Sequence, residues 1–584
     1  MAMLKNDIAV PRYTVVPEEK AGGATYTPKI LADFVARQIV GIFDGFPVGR
    51  TIRVLDPAIG DGQLLISLLE QIGDRPKLNI EVYGFETNQN AINTAYSRLR
   101  RRFPAVAAYF EQDDFLEFVL KHFGTDSKGS LFTPEVPETY DMIIANPPYV
   151  RTQIMGSLKA QTLSQRFGLS GRVDLYYAFI LAMVQVLKPK GIVGIIVSNR
   201  FMTTRSGAPV RRALMERFNL RHVWDLGDSK LFDAAVLPAV LLAEGKNGHK
   251  HGLPDFTSIY ETRQSVTGKS AKASSPIEAL SHTGIVKVGD GRQFLVQHGK
   301  LNTDGKVQGI WRIATKKTDS WLATVKAHTW KTFGEVGKIC VGVKTCADKV
   351  FIRSDWHNIR EVEHPELLRS LITHHIARRF KALEPDIQRQ ILYTHETVQG
   401  HRRAVDLSRY PNSKAYLENH RAILESRKYL LEAGREWYEL WVPQDPSAWD
   451  KTKLVFRDIV EEPTFWIDQS GAVVNGDCYW MVSDEADLSD LLWLAAAIGN
   501  SRFIERFYDS CFHNKLYAGR RRFMTQYVEK FPLPDPASDI GKAIIAAAKE
   551  VYACTPSSQA DELQEQLGRM VWRAFGLGIE KVTG

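Results

Sequence analysis

The chain carries Asn146-Pro147-Pro148-Tyr149 directly after the apolar run Tyr140-Asp141-Met142-Ile143-Ile144-Ala145. A strand that meets two prolines must stop, because proline removes a ladder donor. Asn146 offers an amide oxygen, the carbonyl of Pro147 a second acceptor, and Tyr149 a flat ring. Two acceptors and a ring suit a planar heterocycle with an exocyclic amino group. In isolation the stretch also reads as a Pro-rich turn capped by asparagine. A second group, Asp56-Pro57-Ala58-Ile59-Gly60-Asp61-Gly62, lies upstream, with Asp56, Ala58, Gly60 and Gly62 as the ligand-facing candidates. Its glycines let backbone approach a nucleotide-like ligand. It is neither GxGxxG nor followed by GK[ST], so a pyrophosphate or triphosphate is not indicated. Asp56 and Asp61 would repel phosphate and suit an ammonium and a sulfonium. Glu86 follows about two dozen residues after Gly62, near the spacing at which an acid meets ribose hydroxyls. Asp114 could accept an adenine amino group, and Phe115 could cover the ring.

These residues need elements to hold them. Arg53-Val54-Leu55 reads as a short strand running into the glycine turn, and Gln63 to Ile72 as the helix after it. Ile80 to Phe85 is the strand ahead of Glu86, and Ala91 to Arg102 a helix whose basic end complements its dipole. Thr27 and Pro28 open an earlier amphipathic helix, as N-cap and first helical residue. Alternation of strand and helix predicts a parallel sheet with its ligands at the carboxyl edge. Further strands are expected at 192–197, 221–226 and 237–242, with a turn at Lys188-Pro189-Lys190-Gly191 and a helix over 208–218.

In this order the motifs resemble those of S-adenosylmethionine-dependent amino-methyltransferases, and the Thr27-Pro28 segment ahead of them resembles the start of the gamma class of N6-adenine DNA methyltransferases. The TaqI-like enzymes of type II restriction-modification are the nearest family. The resemblance implies a class I methyltransferase fold, a doubly wound, Rossmann-like α/β sheet, followed by a mixed α/β target-recognition domain. It implies S-adenosyl-L-methionine as cofactor, held by Thr27, Asp56, Ala58, Gly60, Gly62, Glu86, Asp114 and Phe115. It makes Asn146, Pro147, Pro148 and Tyr149 the catalytic tetrapeptide. It also places Phe232, ahead of the last strand, opposite Tyr149 to stack on an adenine flipped out of duplex DNA. A core position is the plainer reading of Phe232. The same tetrapeptide serves RNA and protein-glutamine amino-methyltransferases, and a non-catalytic DNA-binding subunit is a third reading. A second domain of this length fits the first two poorly, and intact Asp56, Glu86 and Asn146 speak against the third.

The chain has 584 residues, more than one core holds, and its composition is that of a globular protein. It lacks a run of about 18 uncharged apolar residues, and Met1 to Lys20 has no signal-peptide core. Five scattered cysteines without a CxxC pair argue against a disulfide framework or a zinc site, so no metal is expected and a bacterial cytoplasm is. A net charge of +8 favours an anionic partner weakly. Composition turns polar after residue 245, which divides the chain into a cofactor-binding catalytic domain, 1–245, and a DNA target-recognition domain, 246–584. In the latter a helix is expected from Ser413 to Leu430. The cations Arg520, Arg521 and Arg522 stand beside aromatics as in phosphate-tracking surfaces, although such runs are commonly plain solvated faces. Double-stranded DNA is the expected partner. A separate cognate restriction endonuclease is compatible with the sequence but not visible in it, and neither is the recognised sequence.

Overall fold

The computed structural model describes residues 26–43, 49–73, 78–123, 139–149, 162, 165–169, 174–232, 237–246, 252–262, 270–359, 363–384, 388–483, 489–512 and 520–578. Two compact units divide between Thr315 and Lys316.

The first unit is built on one sheet. Its strands are β1 (Thr51–Asp56), β2 (Asn79–Phe85), β3 (Ala107–Glu111), β4 (Tyr140–Ala145), β5 (Leu187–Ser198), β6 (Phe218–Asp225), β7 (Pro238–Gly245), β8 (Asp255–Glu261), β9 (Ala271–Ala273), β10 (Gly284–Val288), β11 (Gln293–Asn302) and β12 (Arg312–Ala314). The order is β3-β2-β1-β4-β5-β7-β6-β8-β11-β10-β9, with β12 on β11. Strands β1 to β5 pair in parallel, and β7 runs antiparallel to both β5 and β6. That is the doubly wound class I methyltransferase order, with its chain reversal beside β1 and β4, where such sheets bind ligands. Every residue of β4 is buried, as a central parallel strand covered on both faces requires.

Helices supply the covers. On one face α1 (Lys29–Ile42) and α2 (Gln63–Ile72) bury Leu31, Val35, Leu65 and Leu68 against Met142 and Ile144 of β4. Their neighbour α3 (Gln89–Arg102) adds Ala95 and Leu99. On the other face α4 (Phe115–Phe123), α5 (Leu175–Val186) and α6 (Ala208–Arg217) pack Val119, Phe179 and Leu214 in the cluster that holds Ile143 and Ala145. The expected turn at Lys188–Gly191 survives as an excursion inside β5. Lys190 takes a φ of 66°, and the pairing with β4 jumps from Leu187 to Ile192.

The boundary expected at residue 245 is not where the units divide. Past it the chain re-enters the sheet: β8 pairs in parallel with β6, and β11 pairs with β8. Polar composition misled here because β8 buries polar residues too, Thr257 and Ser258 among its apolar ones, and is charged only at its ends. Asp255, Glu261 and Lys300 sit among buried Phe256, Ile259 and Val296.

The second unit has a five-stranded sheet ordered Gly337–Val341, Cys478–Ser483, Lys453–Arg457, Phe465–Asp468 and Phe380–Lys381, and a four-stranded sheet of Ile352–Arg353, Gln390–Leu392, Leu368–Ile372 and Val473–Val474. Helices Ser489–Gly499, Arg502–Phe512, Asp539–Cys554 and Ser558–Ala574 complete it. The helix expected over 413–430 is in three pieces, Pro411–Asn419, Arg421–Glu425 and Lys428–Glu432. The second break falls at Arg427. It is buried, and its guanidinium donates to the carbonyls of Leu424, Thr345, Glu439 and Trp437, which an unbroken helix would not present to it.

Candidate active site

Asn146 leaves the carboxyl end of β4 between two partners. Its Nδ2 donates to Thr27 Oγ1 at 3.0 Å, and its Oδ1 accepts from the Tyr149 hydroxyl at 2.7 Å. Thr27 is therefore not the N-cap. Pro28 takes that position, its carbonyl accepting from Leu31 and Ala32, and the Thr27 hydroxyl serves the asparagine instead. Tyr149 packs its ring edge-on against Tyr176, with centroids 6.0 Å apart. Tyr176 is itself fixed by donating to Ser198 O. Burial pushes the Tyr149 phenol far above its ordinary value, so it stays a neutral donor. Pro147 is buried and Pro148 half-buried. The loop holds the asparagine in one orientation with its oxygen already polarised.

The glycine turn between β1 and α2 lies across the reversal point from that loop. Gly60 and Gly62 have φ of 51° and 79°, which a side chain would strain. Gly62 is also the N-cap of α2, and a Cβ on it would meet Ala95 of α3 at 3.0 Å. Asp56 ends β1 fully buried. Its Oδ1 accepts from Ala58 N at 3.0 Å, while its Oδ2 is buried without a partner. Desolvation, with smaller contributions from Glu86 and Asp61, raises its carboxyl to about 8. Glu86 spans the two loops. One oxygen accepts from Gly60 N at 3.2 Å and the other from Asn88 N at 3.0 Å, where Asn88 caps α3. Asp61 is not left to meet a ligand cation: Arg98 pairs with its carboxylate and also donates to Gln63 Oε1. Arg98 thereby leaves the role of a solvated helix-end charge.

An orphaned, desolvated carboxylate oxygen beside a glycine cradle asks for a cationic donor. The residues therefore fit the ammonium-bearing cofactor that the motifs imply. Residues 64–232 match the family model of the Eco57I restriction-modification methylase, and residues 401–533 that of the TaqI-like C-terminal specificity domain. Over 576 residues the chain is 37% identical to type II methyltransferase M.BanIII of Aneurinibacillus aneurinilyticus, which covers 96% of this chain and 98% of the relative. The chain belongs to the type II restriction-modification methyltransferases. Type II methyltransferase M.PaeR7I of Pseudomonas aeruginosa is 23% identical across 96% of this chain and 93% of its own. Among solved structures, a nuclease-deletion mutant of the Type ISP restriction-modification enzyme LlaGI shares the fold at a TM-score of 0.53 and 10% identity, covering 91% of this chain and 47% of that one. This chain is a DNA methyltransferase.

In this methyltransferase the remaining expected residues fall unevenly. Asp114 accepts from Leu116 N at 2.9 Å and so starts α4. Phe115 was expected to cover a ring, yet its side chain is 1% exposed between Phe85 and Phe179, so it belongs to the core. Phe232 is 7% exposed and packs in the cluster of α1 and α2, while Tyr149 packs against the cluster on the other face. Among the described residues the two rings are not in contact. Two of the three DNA-contact candidates are committed within the protein. Arg521 is held by Asp509 and Glu505, and Arg522 by Asp458 through two N–H bonds of 3.1 Å. The sequence run hides those acids because they come from other elements. Arg520 stays exposed. The neighbouring Lys515–Gly519 lies outside the described residues.

Sequence reasoning missed Tyr26. It is 64% exposed, and its ring edge stands 4.0 Å from where a Cβ on Gly60 would be, an aromatic at the lip of the cradle. The aromatic in Thr25-Tyr26-Thr27-Pro28 was the available signal. It also missed the buried network in which Asp225 accepts from Tyr260 (2.7 Å), Asn199 (2.9 Å) and Gly227 N (3.2 Å), tying β5, β6 and β8 together behind the site.

Proposed function

We propose that this methyltransferase moves the methyl group of S-adenosylmethionine to the N6 amino group of adenine in duplex DNA, with the target base flipped out of the helix. The observation that carries the reading is Asn146, held by Thr27 and Tyr149 at the sheet edge beside the orphaned acceptor of Asp56. When bound, the cofactor supplies an electrophilic methyl group on a sulfonium. Everything else is done by the chain.

Asp56 becomes ionised and meets the cofactor's ammonium, while Glu86 takes ribose hydroxyls and Asp114 the adenine amino group. Gly60 and Gly62 leave the backbone open for close approach. The target amine is a poor nucleophile, since its lone pair is delocalised into the ring. Asn146 Oδ1 and the Pro147 carbonyl accept its two N–H bonds, which favours a tetrahedral nitrogen with its lone pair exposed toward the methyl group. Held together on the protein, the two groups would react in an effectively unimolecular displacement, the nitrogen's lone pair forming the N–C bond as the methyl–sulfur bond breaks, with a neutral thioether leaving and the nitrogen then giving up one proton to solvent. Extruding the base costs a few kcal/mol, and stacking on an aromatic such as Tyr149 offsets it by about 1–3 kcal/mol per base. Phe232 can add its face only by leaving the packing described above.

The same reading gives cofactor binding and chemistry to the first unit and DNA recognition to the second, where the specificity-domain match lies. A separate endonuclease acting at the same sequence would be the natural partner, and the cytoplasm the place of action. Among the described residues, no helix is long and apolar enough to cross a membrane. The test is nucleoside analysis of duplex DNA incubated with the protein and labelled cofactor. N6-methyladenine is the expected product. N4-methylcytosine would keep amine methylation but overturn adenine, and 5-methylcytosine would overturn the mechanism.

A further inference from the structure

With Arg521 and Arg522 held by carboxylates, the second unit must meet DNA through other side chains. The turn Asn475-Gly476-Asp477, inside the matched specificity stretch, follows the strand Val473–Val474 and leads into Cys478–Ser483. The loop from Gly342 to Lys349 lies against it. Val343 bridges to Asn475, and a Cβ on Gly342 would sit 2.0 Å from Asn475 O, an approach that only glycine permits. Cavities of about 590 Å³ and 500 Å³ share Asp348, Lys349 and Asn475 as a common wall.

Three facts about this groove point the same way. The side-chain amide of Asn475, half-buried, has no hydrogen-bond partner among the described residues. Asp477 accepts from His374 with Oδ2 and keeps 29% of its side chain exposed, while its Oδ1 is enclosed beside Cys478. Lys344, Lys349 and Arg389, which line the two cavities, are exposed and have no carboxylate partner among the described residues. Arg353, by contrast, is spent on Asp355.

We infer that this groove reads the recognition sequence, with Asn475 and Asp477 on base edges and Lys344, Lys349 and Arg389 on the phosphate backbone. An asparagine amide matches the acceptor and donor of adenine N7 and N6, and a carboxylate accepts from cytosine N4. The cations around the turn supply the sequence-independent attraction. The inference rests on duplex DNA being the substrate.

The test uses the full-length protein and random-sequence duplex DNA, with methylated positions read by sequencing. Wild type defines the motif. Asn475→Ala and Asp477→Asn should each relax the motif at one position, with discrimination there falling about tenfold or more. Asn475→Asp keeps the shape and removes the N–H donor, so it should relax the same position as Asn475→Ala. The triple variant Lys344→Glu, Lys349→Glu and Arg389→Glu should weaken binding to matched and mismatched duplexes alike and flatten the dependence on salt. Calorimetric cofactor affinity and melting temperature close to wild type establish that each variant is folded. Should a variant fail that check, the others still decide. An unchanged motif in the Asn475 and Asp477 variants, or an unchanged salt slope in the triple variant, overturns the groove while leaving the methyltransferase reading intact. Wild type that methylates no duplex DNA overturns both.

Discussion

Asn146 is held at both ends of its amide before any target arrives, so its hydrogen bonds orient it at no cost during the reaction. Asn146→Ala should abolish methyl transfer and leave cofactor affinity nearly unchanged, because the residue acts on the target amine. Turnover within about tenfold of wild type, a difference of only ~1.4 kcal/mol in the barrier, would remove Asn146 from the chemistry. Asp56 gives a prediction in pH. Its carboxyl is raised from 3.8 to about 8, so in that interval the folded ligand-free protein binds a proton that the unfolded chain does not. This contribution to stability is complete below about 4 and is lost as pH rises through about 8. A bound ammonium favours the ionised form, so cofactor binding should release a proton near pH 7, and affinity should rise with pH until about 8. Titration calorimetry in buffers of different ionisation heat measures this directly. Asp56→Asn should remove the pH dependence, and wild type releasing no proton would sink the assignment.

At the scale of elements, the two loops are locked by one side chain. Glu86 accepts a backbone N–H from each, so it fixes the cradle at which the cofactor is proposed to bind. Glu86→Ala should weaken cofactor binding by about 1–3 kcal/mol, the scale for losing hydrogen bonds to a charged group. Unchanged affinity would remove it from the site. Gly62→Ala strains a left-handed N-cap and presses on Ala95. It should destabilise the fold by about 1–2 kcal/mol, read as a lowered denaturation midpoint. The strand-turn-helix units around these residues were legible in sequence because apolar runs end at glycine, proline and capping asparagine within a few positions. What was not legible depends on partners distant in the chain. Thr27 and Asn146 are 119 residues apart. Arg521 looks like a DNA contact until Asp509 and Glu505 come beside it from the helix Arg502–Phe512. Phe115 and Phe232 are aromatic in the sequence whether they face a ligand or the core, and only burial separates the two.

At the scale of the molecule, residues 1–315 contain the whole sheet and every group proposed for cofactor binding and chemistry. A protein ending at Thr315 should bind cofactor like the full chain and lose preference among duplex sequences. Site discrimination by that fragment, measured on matched and mismatched duplexes, would move recognition into the catalytic unit. The pairing of β6 with β8 has a further consequence, for how the chain can be cut. In the intact sheet β6 is interior, and the free edge beyond it is β9, three residues long. A cut at 245 removes β8 to β12 and turns β6, eight residues with Val223 and Trp224 buried, into an open rim of unpaired amides and carbonyls. Such a rim recruits other chains, so the shorter fragment should self-associate in light scattering where the longer one remains monodisperse.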